Sequence, residues 1–487
     1  MHKNNIVKNY IYNSSYQILI MILPLITMPY ISRVLGATAM GMYGYTNSIT
    51  QYFILFGCIG LNLYGQREIA YHQEDAFKRS KSFWELFFIR AVSISICLIV
   101  YAISLCNNDK YGFLFRIQIL DIIASLIDIS WFFQGVEDFK KIVIRNSCVK
   151  IAGVILILCL VKSPDDLWMY ALIYSATLFL GNITMWLYMP KYLTRVSIKL
   201  CNPWRHLKPA LVLFLPQIAT SIYTLLDKSM IGFLTGNDAE VAYYEQAQKI
   251  VKMALALATS LGTVMLPRIA NMYSQGMFDE IRNYIYKSIQ FVCALSLPIC
   301  FGLTAVAGDF VPWFLGDGYG DVTHNMILMA PIIPIIGMSN VIGVQYFLPV
   351  GKQKEYTASV IGGTLVNLIL NVVFIPFFLS KGAVIASVIA EISVLIIQLL
   401  LVRKEIQLLS IIKNVYKYLI ASAVMVAVLA IIQFEWISID FLRIGLMVII
   451  GALIYILMLV LLKDNYFMHY SKKLFGIIGK KDRKDEV

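Results

Sequence analysis

Apolar blocks of roughly 20 residues follow one another along nearly the whole chain, and that is the length a helix needs to cross a hydrocarbon core. In lipid every backbone polar group must find its partner inside the structure, so such blocks fold as spanning helices. Barrel strands would instead run about 10 residues and alternate apolar with polar. The expected class is an all-α polytopic membrane protein with about 14 transmembrane helices. The spans fall at 10–34, 41–65, 83–106, 112–136, 142–162, 166–189, 209–234, 240–269, 284–307, 322–349, 356–379, 382–402, 415–433 and 441–462. Composition leaves little alternative. With 59% hydrophobic and 14% charged residues, the chain lacks the charge to cover a soluble surface.

The formal net charge is +12, and its placement decides what it means. One set of connections is basic: Arg67/Lys78/Arg79/Lys81, Lys140/Lys141/Arg145, Lys191/Arg195/Lys199/Arg205/Lys208 and Arg403/Lys404/Lys413/Lys417 are its richest members. The tail adds Lys472, Lys473, Lys480, Lys481, Arg483 and Lys484. The alternate set holds little beyond Lys110, Lys162 and Lys381. Such alternation sets topology and does not point to nucleic acid. It places the basic loops and both termini in the cytoplasm. The short polar start, Met1 to Asn9, leads into the first span with no cleavage pattern after it.

Catalytic signatures are missing from the sequence. It has no P-loop and no HExxH motif, and no cofactor or metal is expected. His2, His72, His206, His324 and His469 read as solvated surface groups, and the eight scattered cysteines as small core residues. Outward connections stay under about 15 residues, too short for the outer domain of a membrane polymerase or glycosyltransferase. A transporter is the expectation, not an enzyme.

Function in such a chain is read from polar groups at membrane depth. Gln118, Asp121, Ser125 and Asp128 share one stripe of the fourth span, and Gln217, Thr220, Thr224 and Asp227 repeat the spacing on the seventh, with Lys228 beside them. Glu245, Lys249 and Lys252 open the eighth span on one face. Tyr43, Asn47 and Gln51 lie on the second span, Asn367 and Asn371 on the eleventh, and Glu391 on the twelfth. Arg33, Arg90 and Arg116 are isolated cations. Half a dozen cations facing lipid would cost on the order of 15–20 kcal/mol, so most must face a wet cavity, pair with an acid or reach an edge. An internal repeat is also legible: Leu35-Gly36 with Gly41 to Asn47 is matched by Ile231-Gly232 with Ala242 to Gln248. Six helices per repeat would make the halves parallel. Pro24 and Pro29 on the first span and Pro216 on the seventh mark the expected kinks.

Pro29-Tyr30-Ile31-Ser32-Arg33-Val34-Leu35-Gly36, Gly41-Met42-Tyr43-Gly44-Tyr45 and Gly65-Gln66-Arg67-Glu68-Ile69-Ala70 resemble the N-terminal signature of Wzx-type polysaccharide flippases. Asp227-Lys228-Ser229-Met230-Ile231-Gly232, Ala242-Tyr243-Tyr244-Glu245 and Val264-Met265-Leu266-Pro267-Arg268 resemble their second-half signature. These flippases belong to the multidrug/oligosaccharidyl-lipid/polysaccharide exporter superfamily. The resemblance implies two lobes, 1–208 and 209–405, around a central cavity, with 406–487 holding two further helices and a basic tail. It implies a substrate as well: an oligosaccharide repeat unit on undecaprenyl diphosphate, moved from the inner to the outer leaflet of a bacterial cytoplasmic membrane. Membrane lipid, a polysaccharide polymerase and glycosyltransferases would be partners. A cavity-lining role for Arg33 follows from the shared Ser-Arg-Val-Leu-Gly pattern. On charge alone, Arg90, Arg116, Lys228, Lys249 and Lys252 join it as candidates for the diphosphate. Asn47, Gln51, Gln217, Asn367 and Asn371 are candidates for sugar hydroxyls. The rival reading is a multidrug/cation antiporter of the same superfamily. In that reading Asp121, Asp128, Asp227, Glu245 and Glu391 would bind coupling ions.

Overall fold

The computed structural model describes residues 2–259, 262–406, 408–432, 437, 439–464 and 466–468. Side chains are described from residue 22 onward, apart from stretches within 139–140, 215–223, 260–267 and 407–414 and an isolated position at 198. Thr220 and Pro216, Val264, Leu266 and Pro267 of the second signature, and the basic tail from Lys472 on lie outside the described side chains.

All regular structure among the described residues is helical. Among the described residues nine helices are long and apolar enough to cross a membrane by length and composition, and two of them, Ile22–Tyr71 and Gln353–Val402, run to 50 residues. The chain divides into two compact units. Unit 1 is Met1–Glu245 with Leu315–Gly318, and unit 2 is Gln246–Phe314 with Tyr319–Val487.

Unit 1 contains α1 (His2–Cys58), α2 (Leu61–Tyr71), α3 (Ala76–Leu105), α4 (Gly112–Ile127), α5 (Ser130–Gly135), α6 (Phe139–Leu160), α7 (Leu167–Trp186) and α8 (Leu207–Thr235). The first turns of α9 (Asp238–Thr259) belong to it too. α1 is two helices joined at Gly36, where φ is 75° and ψ 171°. That conformation is open to glycine and costly for a residue with a Cβ. Pro24 and Pro29 stay inside helix, so the break falls at the glycine and not at the expected proline kinks. A missing N–H can be tolerated within a spanning helix, whereas a positive φ ends its ladder. The repeat read from sequence pairs Gly36 with Gly232. In the structure the positive-φ glycine that ends α8 is Gly236, while Gly232 is helical and its bare Cα lies against the Tyr45 ring.

The fourth span is also broken. α4 stops at Ile127, and Asp128 leaves the helix with ψ 112° before α5 begins. Asp128 therefore does not continue the stripe of Gln118 and Asp121. Its carboxylate turns back to accept from the Ser130 N–H at 2.9 Å. The last carbonyls of α4 lose their helical donors, and side chains replace them. Asn182 donates to Ala124 O at 2.7 Å, Arg90 Nε to Ser125 O at 2.8 Å and Trp186 Nε1 to Ile127 O at 2.8 Å. A helix end inside a membrane has no water for this purpose, so the cap must come from neighbouring helices.

Unit 2 contains the rest of α9, α10 (Gly262–Ser274), α11 (Phe278–Leu315), α12 (Gly320–Met329), α13 (Ile332–Asn340), α14 (Gln353–Val402), α15 (Leu408–Ile432) and α16 (Asp440–Leu461). A π-helical turn, Val341–Phe347, follows α13. α14 is again two helices, joined at Leu379 with φ 55° and ψ −133°. The return is tight because Gly382 lies on the backbone of Phe374, where an added Cβ would meet the carbonyl oxygen at 2.4 Å. The core of unit 2 is a continuous apolar cluster that includes Ile285, Ile289, Val292, Val341, Phe347, Met425 and Leu459. Tyr455 of α16 ties into it by donating to Ala294 O at 2.7 Å.

Candidate functional site

Unit 1 gathers most of the polar groups singled out in the sequence, on α1, α3, α4, α8 and the start of α9. Many of them already have partners. Gln118 sits between Thr50, which donates to its Oε1 at 2.8 Å, and Thr46, to which its Nε2 donates at 3.1 Å. Tyr101 completes this network at 2.9 Å from the Thr50 hydroxyl. Arg90 is buried, and its Nη1 donates to Asn62 Oδ1 at 2.7 Å in addition to capping α4. Arg116 is exposed at the start of α4 and donates to Cys106 O at 3.0 Å. Arg33 is exposed and lays its aliphatic stem on Gly316, where an added Cβ would meet Arg33 Cγ at 2.7 Å.

The start of α9 brings its charges against α8 and α1. Lys228 pairs with Glu245 at 3.7 Å, and Tyr244 donates to Asp227. Glu245 Oε2 occupies the space that a Cβ on Gly44 would fill, at 2.3 Å. Gly41 is tighter still, since its Cβ would fall 1.7 Å from the Asp238 carbonyl oxygen. These glycines let the helix backbones touch, and larger residues there would drive them apart. Asp238 is held in turn by Lys110 at 2.8 Å and by the Tyr111 hydroxyl, which donates at 2.7 Å. Tyr52 and Ser229 meet at 3.1 Å. Asn47 and Gln51 are half-buried on α1, and Gln217 is half-buried on α8.

In unit 2, Asn367 and Asn371 are fully buried. Asn371 donates to Asn367 Oδ1 at 3.1 Å, and Asn367 reaches Ser387 at 3.5 Å. Glu391 is buried further along α14, Lys249 is half-buried on α9 and Lys252 exposed. An apolar cavity of about 530 Å³ lies beside α11, α15 and α16, with Lys287 and the aromatic rings of Tyr284, Phe291 and Tyr418 on its walls. None of the residues proposed for substrate or coupling ions lines it, although Met265 of the second-half signature does.

One histidine departs from the expectation of a solvated surface. His206, in the connection to α8, is 2% exposed. Its Nδ1 lies 2.8 Å from the Tyr64 hydroxyl and its Nε2 2.8 Å from Glu85 Oε2. Burial pushes its imidazolium below the usual histidine range, against the opposing pull of Glu85. Glu85 is the hub of this cluster, accepting also from the Asn202 N–H at 2.6 Å and from Arg205 Nη2 at 2.7 Å. Glu85 is not among the polar groups singled out in the sequence. An acid three residues into the placed third span is the signal that could have found the cluster. Among the cysteines, Cys148 and Cys159 are exposed on α6 and not in the core.

Long apolar helices that fold charged and amide groups into their units define a polytopic, all-α membrane protein. Residues 6–273 match the family described as Polysaccharide biosynthesis protein, and the chain belongs to that family. Residues 213–373 also match the family MatE. The protein named Putative O-antigen transporter in Shigella dysenteriae is 26% identical over 406 residues, covering 82% of this chain and 99% of that protein. Its namesake in Escherichia coli (strain K12) is 25% identical over 411 residues, covering 83% and 98%. Among solved structures, Lipid II flippase MurJ in an inward closed conformation shares the fold with a TM-score of 0.77 at 15% identity, over 94% of this chain and 99% of that one. An inward-facing multidrug resistance MATE family transporter of the MOP superfamily shares it with a TM-score of 0.56 at 12% identity, over 79% and 97%. The Wzx-type resemblance read from the sequence agrees with these matches.

Proposed function

We propose that the chain translocates a polyprenyl-diphosphate-linked oligosaccharide repeat unit from the inner to the outer leaflet of a bacterial cytoplasmic membrane. The observation that carries this reading is the end-to-end match to O-antigen transporters, which leaves almost no part of those proteins uncovered. The physical problem suits the chain. The diphosphate and sugars cannot cross hydrocarbon unaided, while the polyprenyl tail is at home in it. Alternating access of the two lobes, 1–208 and 209–405, is the mode we assign, with both termini cytoplasmic. A polysaccharide polymerase and glycosyltransferases would act beside it. Lys249 and Lys252 are the diphosphate candidates we favour, with Lys228, Arg33 and Arg116 next. Arg90 is the weakest, because its guanidinium already caps α4.

Complementation of a strain lacking its own O-antigen flippase tests the reading. Lys249→Arg and Lys252→Arg should retain more surface polysaccharide than the Lys→Glu changes, because diphosphate asks for charge before geometry. Equal activity of all four variants at normal expression would remove this face from the site. The MatE match over 213–373 favours a second reading, a multidrug/cation antiporter. That reading predicts drug resistance on expression and no polysaccharide.

A further inference from the structure

The apolar cavity of unit 2 follows α11, with Tyr284 at one end and Leu295 at the other, and α15 and α16 form its remaining walls. That stretch of helix rises about 16 Å, roughly half the thickness of a hydrocarbon core and therefore one leaflet. The hydroxyls of its buried tyrosines are engaged within the protein. Tyr455 donates to Ala294 O at 2.7 Å, and Tyr418 donates to Asp464 Oδ1 at 3.4 Å. What faces the space is ring and hydrocarbon, with Phe291, Leu295 and Leu459 beside those rings. α15 and α16 expose Leu419, Ile420, Leu453 and Val460, so these two helices face lipid.

The Tyr284 end differs from the rest. Lys287 lines the cavity there and is exposed, and Arg268 of α10 lays its guanidinium over the Tyr284 ring at 4.4 Å. No acid stands three or four residues from Lys287 on α11, where the chain has Asn283, Tyr284, Gln290 and Phe291. Asp279 is taken by Arg282 at 3.0 Å, and Asp464 accepts the Phe467 N–H at 2.8 Å besides the Tyr418 hydroxyl. Among the described residues neither Lys287 nor Arg268 forms an ion pair. An apolar cavity one leaflet long, with two unanswered cations at its mouth, suits an acyl chain below an anionic headgroup. A zwitterionic lipid would bring an ammonium group of its own to the same cations. A polyprenyl chain, far longer than a leaflet is thick, would leave most of its length outside.

We propose that this cavity binds an anionic glycerophospholipid of the surrounding membrane, with one acyl chain along α11 between α15 and α16 and the phosphate held by Lys287 and Arg268. The site lies wholly within unit 2 and does not depend on the translocation reading.

The test titrates the purified full-length protein with phosphatidylglycerol and phosphatidylethanolamine of matched acyl chains, read by native mass spectrometry. One phosphatidylglycerol should be retained about 25-fold more tightly, a factor of about five for each cation beside the headgroup. Lys287→Gln should remove about a factor of five of that preference, and Lys287→Gln with Arg268→Gln all of it. In vesicles of the wild-type protein, a phosphatidylglycerol with a photoreactive group at the end of its acyl chain should crosslink to Phe291, Leu295 or Leu459. The crosslink needs no variant, so the proposal stays testable if the substitutions disturb folding. Equal retention of the two lipids, or crosslinks confined to other helices, overturns the proposal. So does displacement of phosphatidylglycerol by equimolar polyprenyl phosphate, which would assign the cavity to a polyprenyl tail. None of these readouts involves flipping, so the translocation reading and this site can fail separately.

Discussion

Glu85 and Asp121 are buried acids of the same unit, and their surroundings are opposite. Glu85 collects a backbone N–H, the Arg205 guanidinium and the His206 ring within 3.0 Å, with Lys81 at 4.0 Å. Asp121 is faced only by hydroxyls, from Tyr43, Tyr101 and Ser175, with no cation and no backbone N–H on either oxygen. A carboxylate bound on both oxygens fixes the elements that bind it, here α2, α3 and the connection into α8. A carboxyl met only by hydroxyls ties far less of the fold together. Burial alone therefore says little about the role of a membrane acid; the donors around it decide.

The contrast can be broken by mutation, and Glu85 should give the largest effect. Glu85→Ala leaves the His206 ring and the Asn202 N–H buried without their acceptor. It should cost about 3–5 kcal/mol and show as a large drop in melting temperature in detergent. Arg90→Met comes next. It strands Ser125 O and Asn62 at the α4 break and should cost about 1–3 kcal/mol for each acceptor left bare. The pH dependence is smaller, and its sign is fixed. The folded protein holds the His206 imidazolium below its usual value near 6.5, so it binds fewer protons than the unfolded chain as the medium acidifies. Stability should be unaffected above about pH 6.5 and fall below it, and His206→Asn should flatten that fall. Asp121→Asn should do least, under about 1 kcal/mol, because the amide has the same shape and the group it replaces holds no cation or backbone N–H. A loss as large as that of Glu85→Ala would mean that Asp121 is an ionised structural acid and would erase the contrast.

Much of this architecture was legible in the chain, and the exceptions share a cause. The gap placed between 34 and 41 contains the backbone break at Gly36, and the span placed at 356–379 ends on the break at Leu379. Apolar length reports where a helix must stop at the membrane edge. The α4 break was not legible, since Ile127-Asp128-Ile129 reads as uninterrupted span. Only tertiary partners, Arg90, Asn182 and Trp186, make that break tolerable. His206 was misread for a similar reason: a histidine in a basic loop looks solvated until Glu85, remote in sequence, is folded over it. The polar stripes located the right helices. They could not distinguish groups engaged by neighbours, such as Gln118, Asn367 and Asn371, from those with open sides, such as Asn47 and Gln51. Spacing gives a residue's face and not its partner.

Translocation itself is the claim on which the rest of the account depends. The most direct measurement reconstitutes the purified chain in liposomes carrying a fluorescent polyprenyl-diphosphate oligosaccharide in both leaflets, and follows how much becomes accessible to an impermeant quencher. Accessibility should rise well beyond the outer-leaflet share, faster than in protein-free vesicles and slower with Lys249→Glu/Lys252→Glu. Accessibility that stays at the outer-leaflet share with folded protein present would contradict it, above all if the same vesicles exchange cationic drugs for protons.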